Sequence, residues 1–176
     1  MVDQYRDERG ETALHKATRQ GSVPIIQCLL DHKANINGRS TYEHISPLMI
    51  ACKQGYIHVV QFLLEHKAKI NLVGSKDNKM TALMMACKKG HEPCVVLLLE
   101  HGADISLRNK NGYTAKDLAQ AERHDTIVQL ITRLCLIFTL KIRFVYMCVY
   151  WKSFIYTPPI LILKMFSLKK HQERKQ

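Results

Sequence analysis

Apolar residues recur along the first 130 positions in short clusters of constant spacing. Each cluster has two adjacent apolar residues and two more at i+4 and i+5, which places all four on one face of an α-helix. The clusters are Ile25, Ile26, Leu29, Leu30; Val59, Val60, Leu63, Leu64; and Cys94, Val95, Leu98, Leu99. A glycine lies a few residues before each cluster (Gly21, Gly55, Gly90). The pattern predicts a short helix that ends at the glycine, followed by a second, apolar helix.

The same unit repeats at a nearly fixed period. The tripeptides Thr12-Ala13-Leu14, Ser46-Pro47-Leu48 and Thr81-Ala82-Leu83 start 34 and 35 residues apart, and Thr114-Ala115 follows 33 residues later. The Thr or Ser is expected to cap the first helix of each unit. Neither helix can bury its apolar face alone, so stacked units supply the core. The pattern predicts four repeats at about 7–39, 40–74, 75–107 and 108–131.

These motifs resemble the ankyrin family, whose repeat carries a T-P-L-H-x-A signature. Thr12-Ala13-Leu14-His15-Lys16-Ala17 and Ser46-Pro47-Leu48-Met49-Ile50-Ala51 fit it with small departures. The resemblance covers residues 3–131 and implies an all-α solenoid of helix-turn-helix units with protruding β-turn fingers. It also implies that His15 is a structural histidine. Because its counterparts Met49 and Met84 cannot form the same bonds, we expect only a local role.

The exits from the second helices depart from the family pattern. Lys33 and Lys67 occupy the position of Gly102 in the third unit. If the backbone there has positive φ, each lysine costs about 1 kcal/mol relative to glycine. We therefore expect the first two repeats to be less stable than the third.

The resemblance implies that partners bind to the fingers and to the concave face formed by the first helices. The exposed pairs near the ends of these helices are Arg19 and Gln20, Lys53 and Gln54, and Lys88 and Lys89. We expect Arg19, Lys53 and Lys88 to form a basic column that attracts an acidic segment of a partner protein. The alternative is an ordinary solvated helix face.

Two connections between repeats are one and two residues longer than the last one. The extra residues predict longer fingers, and loops often carry recognition residues. The finger residues assigned to partner binding are Tyr42, Glu43, Lys76, Asp77 and Asn78. Tyr42 is the foremost contact because exposed aromatic residues often dominate interfaces. Neutral drift in loop length is the alternative.

The chain has no motif typical of catalysis or of cofactor binding. The six cysteines form no CxxC pair, and we expect them to act as small buried hydrophobic residues. His32, His66 and His101 recur in register, but adjacent repeats separate them by about 10 Å, too far to share one zinc ion. We expect them to be exposed near the ends of the second helices. The sequence thus predicts no enzyme, no metal site and no cofactor.

Composition changes near Ile131. Residues 131–176 hold nine of the 26 basic residues and one of the 15 acidic ones, which leaves 17 and 14 for the remainder. Most of the net charge of +11 therefore belongs to an irregular, apolar and basic tail at 132–176. A membrane span, attachment to a membrane surface and the absence of an evolved role remain alternatives for this tail. Nucleic-acid binding by its basic end is disfavoured because no recognition motif is present.

Together these features predict a non-enzymatic, monomeric adaptor that binds a partner protein through the concave face and the fingers. The alternative is a membrane-associated adaptor attached through the tail. No signal peptide is visible, so we expect an intracellular protein, cytoplasmic and/or nuclear.

Overall fold

The described part of the chain, residues 3–75 and 77–134 of a computed structural model, is helical and has no strand. The elements follow the predicted order of a short first helix and a longer second helix in each repeat. They are α1 (Ala13–Gln20), α2 (Val23–Asp31), α3 (Pro47–Gln54), α4 (Ile57–Glu65), α5 (Ala82–Lys89), α6 (Glu92–Glu100) and α7 (Ala115–Ala121). A last helix, α8, occupies 125–134 and reaches the end of the described residues. The helix-turn-helix prediction is confirmed, whereas most of the predicted tail lies outside the described residues.

The predicted start and stop signals act on the first helices. Ser46 and Thr81 accept hydrogen bonds from the backbone N–H groups of Met49 and Met84, at 3.4 and 3.3 Å. The glycines that end α1, α3 and α5 have φ values of 72°, 79° and 76°. A residue with a Cβ atom is disfavoured in this left-handed conformation, so glycine ends these helices at little cost.

The helices form two layers within the compact unit Met1–Ile131. In one layer α1, α3, α5 and α7 pack side by side, and in the other α2, α4 and α6 do so. The predicted apolar faces of α4 and α6 line the core between these layers, but the prediction was wrong for Ile25. Ile25 is 48% exposed, whereas its counterparts Val59 and Cys94 are 1% exposed. In the described chain no helix packs in front of α2 to cover this position.

Polar side chains link one repeat to the next. Asn37 accepts a hydrogen bond from the backbone N–H of Lys69 at 2.7 Å, and Asn71 does the same for Asp104 at 3.0 Å. At the other end of the helices, Nε2 of His91 donates to the carbonyl of Lys53 at 3.2 Å. The first two bonds join the connections of successive repeats, and the third satisfies a carbonyl that α3 leaves free at its end, so all three help to fix the register of stacking.

The positive φ on which the predicted strain depends is present at the helix exits. Lys33 and Lys67 have φ values of 64° and 62°, and Gly102 has 83°. The two lysines thus occupy the conformation that Gly102 occupies without a Cβ atom. Each contributes a strain of about 1 kcal/mol to the folded state.

The prediction that His15 acts only locally was wrong. The side chain is fully buried, and Nδ1 contacts the Thr12 hydroxyl at 2.8 Å and accepts the Thr12 N–H at 3.2 Å. Nε2 lies 3.0 Å from the carbonyl oxygen of Ile45, in the next repeat. Since a carbonyl only accepts, Nε2 carries the proton, and His15 is a neutral bridge between two repeats.

Candidate partner-binding surface

The predicted surface pairs lie at the ends of the first helices, but they are not equivalent. Gln20, Lys53 and Gln54 are exposed, as are Lys88 and Lys89, whereas Arg19 is half-buried. The exposed side chains can contact a partner without any change in the packing of the core. The difference at Arg19 comes from a neighbouring acidic side chain.

Arg19 is held by Glu11, a residue that is only 6% exposed. Nε of Arg19 donates to one carboxylate oxygen of Glu11 at 3.1 Å, and an Nη of Arg19 donates to the other. Hydrogen bonds from Arg19 lower the pKa of Glu11, and Glu11 raises the pKa of Arg19. The pair compensates the positive charge of Arg19, whereas no described acidic side chain forms an ion pair with Lys53 or Lys88. The unpaired charge of the proposed basic column therefore lies in the second and third repeats.

The fingers are stacked through their backbones. Ser75 donates a backbone hydrogen bond to the carbonyl of Glu43 at 3.1 Å, and Lys110 donates to the carbonyl of Asn78 at 3.2 Å. These bonds link the first finger to the second and the second to the third. Among the predicted finger contacts, Tyr42 is 71% exposed. Glu43, Asp77 and Asn78 are also exposed, and Lys76 lies outside the described residues.

One cleft gathers predicted residues from two fingers and from two first helices. It has a volume of about 300 Å³, and we call it the basic cleft. Its lining consists of Glu43, Ile45, Lys53, Asn78, Met80, Met85, Lys88 and Lys89. Three lysines oppose one glutamate, so the rim of the basic cleft has a net positive charge.

Sequence reasoning missed the apolar floor of the basic cleft, which is formed by Ile45, Met80 and Met85. Ile45 and Met80 immediately precede the helix caps Ser46 and Thr81. That shared position, apolar in the second and third repeats, was the available signal. Met85 lies within a predicted helix, and the pattern did not indicate that it would reach a cleft.

A second cleft lies beside the first finger and has a volume of about 230 Å³. The side chains around it carry both signs of charge. They are Glu8, Arg9, Glu11, Arg19, Ser40, Tyr42 and Glu43. Tyr42 and Arg19 are therefore brought together here, while Gln20, Gln54 and Asp77 line neither cleft.

The cysteines of the described chain are mostly buried, whereas the three histidines that recur in register are exposed. Burial raises the pKa of Cys87 to about 12 and that of Cys52 well above its usual range, so both remain thiols. Cys52, Cys87 and Cys94 are buried as predicted, but Cys28 is exposed. His32, His66 and His101 are exposed at the ends of α2, α4 and α6, which confirms their predicted location.

Residues 3–75 and 77–134 contain no group of three or more His, Cys, Asp or Glu side chains arranged to hold a metal ion. None of their helices has the length and hydropathy needed to cross a bilayer. The predicted membrane contact of the tail lies outside the described residues.

Family models of known repeat proteins match this chain. A family model described as ankyrin repeats (3 copies) matches residues 2–74, and one described as ankyrin repeats (many copies) matches residues 63–119. A search of curated proteins gave no match. The two family matches cover the first three repeats and the start of the fourth. The chain therefore belongs to the ankyrin-repeat family.

Proposed function

We propose that this chain is a non-enzymatic adaptor that binds an acidic segment of a partner protein in the basic cleft. Ankyrin repeats are in general protein–protein interaction modules. The proposal rests on the positions of Lys53, Lys88 and Lys89, which surround the apolar floor of one cleft. These lysines come from two repeats and have no described acidic partner in an ion pair.

The composition of the cleft indicates the kind of segment that fits. Carboxylates of the partner would pair with the lysines on the rim, and an apolar side chain would cover Met80, which is partly exposed. Charge attraction of this type raises the rate of association and weakens as salt is added. Tyr42, adjacent to Glu43 on the first finger, offers an aromatic contact at the edge of the same surface.

The test compares two variants that change the net charge equally. Lys53→Glu combined with Lys88→Glu reverses the charge of the basic cleft. Lys33→Glu combined with Lys69→Glu is the control, because both side chains are exposed and neither lines the cleft. We expect the first variant to lose capture of partners identified by cross-linking and pull-down with the full chain, and the control to retain it.

A binding measurement with one identified partner decides the proposal. We expect the cleft variant to bind at least about tenfold more weakly at low salt, with most of the loss in the association rate. Equal affinities of the two variants would show that the partner does not use the basic cleft. Thermal unfolding of both variants controls for damage to the fold.

A further inference from the structure

A third cavity, which is an open groove, lies on the opposite helix layer and shares no residue with the basic cleft. It runs between α4 and α6 and has a volume of about 440 Å³. We call it the outer groove, and its lining consists of Ile57, Glu92, Pro93, Val96, Leu97 and Glu100. Its walls are apolar, and its only charged side chains are the two glutamates.

Comparison of the three repeats shows why the outer groove occurs on α6. The residues at equivalent positions in α2 and α4 are Gln27 and Gln61, where α6 has Val96. Gln27 donates a hydrogen bond to Asp31 at 2.7 Å, and Gln61 donates to Glu65 at 3.0 Å. These pairs give the outer surfaces of α2 and α4 a polar character. Val96 removes the polar group and extends the apolar surface.

The valine also removes the hydrogen-bond donor that the equivalents of Glu100 have in the other repeats. Glu100 corresponds to Asp31 and Glu65, but four residues before it the side chain is valine, which cannot donate a hydrogen bond. No side-chain hydrogen bond or ion pair within residues 3–75 and 77–134 engages Glu100 or Glu92. Both carboxylates are exposed at the two ends of the apolar strip.

We propose that the outer groove binds an amphipathic, basic helix of a partner protein. Glu92 and Glu100 are eight residues apart on α6, which corresponds to about 12 Å, or two helical turns. An apolar stripe at i, i+3 and i+4 on the partner helix would pack on Val96 and Leu97. Lysine or arginine residues about two turns apart would pair with the glutamates. The charge of this site is opposite to that of the basic cleft, so the two surfaces select different partners.

The experiment uses a fluorescent helical peptide and the full chain. The peptide has leucines at i, i+3 and i+4, two lysines eight residues apart and polar residues elsewhere, and binding is followed by fluorescence polarisation. The key variant is Val96→Gln, which installs the side chain that Gln27 and Gln61 provide in the other repeats. Because the fold accommodates glutamine at both equivalent positions, Val96→Gln is expected to leave the thermal unfolding temperature unchanged.

We expect Val96→Gln to weaken peptide binding by about tenfold or more, because the new amide would donate to Glu100, as Gln27 and Gln61 do to Asp31 and Glu65, and would replace apolar contact surface with a polar group. Glu92→Gln combined with Glu100→Gln is expected to weaken binding about threefold and to reduce its salt dependence. Lys53→Glu combined with Lys88→Glu should bind the peptide like the unmodified chain. That control separates this proposal from the function proposed for the basic cleft.

Three results would overturn the proposal. The first is unchanged binding to Val96→Gln, and the second is equal binding of a peptide whose two lysines are replaced by glutamates. The third is a self-associating chain that becomes monomeric on Val96→Gln, measured by sedimentation equilibrium. The last result would assign the outer groove to a second copy of this chain.

Discussion

Nε2 of His15 donates a hydrogen bond to the carbonyl oxygen of Ile45, 3.0 Å away and 30 residues later in the chain. This bond connects the cap of α1 to the residue that precedes the cap of α3. The same ring holds the Thr12 hydroxyl and N–H through Nδ1. One buried side chain therefore couples the start of the first repeat to the start of the second.

Replacement of His15 should lower the stability of the chain. His15→Ala leaves the Ile45 carbonyl without this donor and creates a cavity, so we expect a loss of about 2–4 kcal/mol in the free energy of unfolding. His15→Met restores the volume with the residue found at 49 and 84 and should cost less. Urea unfolding of the three proteins measures both effects, and equal losses for the two variants would contradict this explanation.

His15 should also make stability depend on pH. Burial lowers its pKa below the usual 6.5, so the unfolded chain binds a proton before the folded chain does. The free energy of unfolding should therefore decrease as the pH falls below about 6.5. We expect His15→Met to lose this part of the slope between about pH 7 and 5, a range above the usual pKa values of the carboxylates. Identical slopes for the two proteins would exclude His15 as the cause.

The glycines at positive φ should differ in their tolerance of alanine. A Cβ atom at Gly55 would lie 2.7 Å from the ring of His91, whereas one at Gly102 would have no atom within 4 Å. Both substitutions place alanine in the left-handed region, at a cost of about 1 kcal/mol. Gly55→Ala should cost about 1–2 kcal/mol more because the His91 ring must move. Chemical denaturation of the pair tests this difference, which should be absent if the ring moves freely.

Arg19 should contribute to stability more than Lys53, although the two occupy equivalent positions. Arg19→Ala would leave the buried carboxylate of Glu11 without its partner, and we expect a loss of about 1–3 kcal/mol. Lys53→Ala removes an exposed side chain and should change stability by about 0.5 kcal/mol or less. Unfolding curves of both variants check the contrast. Similar losses of unfolding free energy for the two variants would mean that the Arg19–Glu11 pair does not stabilise the fold.

Much of the fold follows from local sequence signals. The Thr and Ser caps, the glycines at positive φ and the apolar spacing each act within one repeat, so they can be recognised residue by residue. The exposed positions of Lys53, Lys88 and Lys89 also follow from the repeat register, since a residue beyond the apolar face of a helix points away from the core. Ile25 is an exception because its burial would require another helix packed in front of α2.

The charge and polarity of the basic cleft and of the outer groove depend on which side chains come together when the chain folds. Arg19 and Lys53 are equivalent in the repeat, yet of the two only Arg19 forms an ion pair within the described residues, with Glu11, eight residues earlier in the chain. The basic cleft needs two fingers, two first helices and two methionines, and the outer groove needs α4 beside α6. Repeat periodicity thus indicates the helices and their order, because those depend on neighbours in sequence. The Arg19–Glu11 ion pair depends on the fold of the first repeat. The clefts and the His15–Ile45 bond depend on distances between repeats, and these distances are set only when the repeats pack.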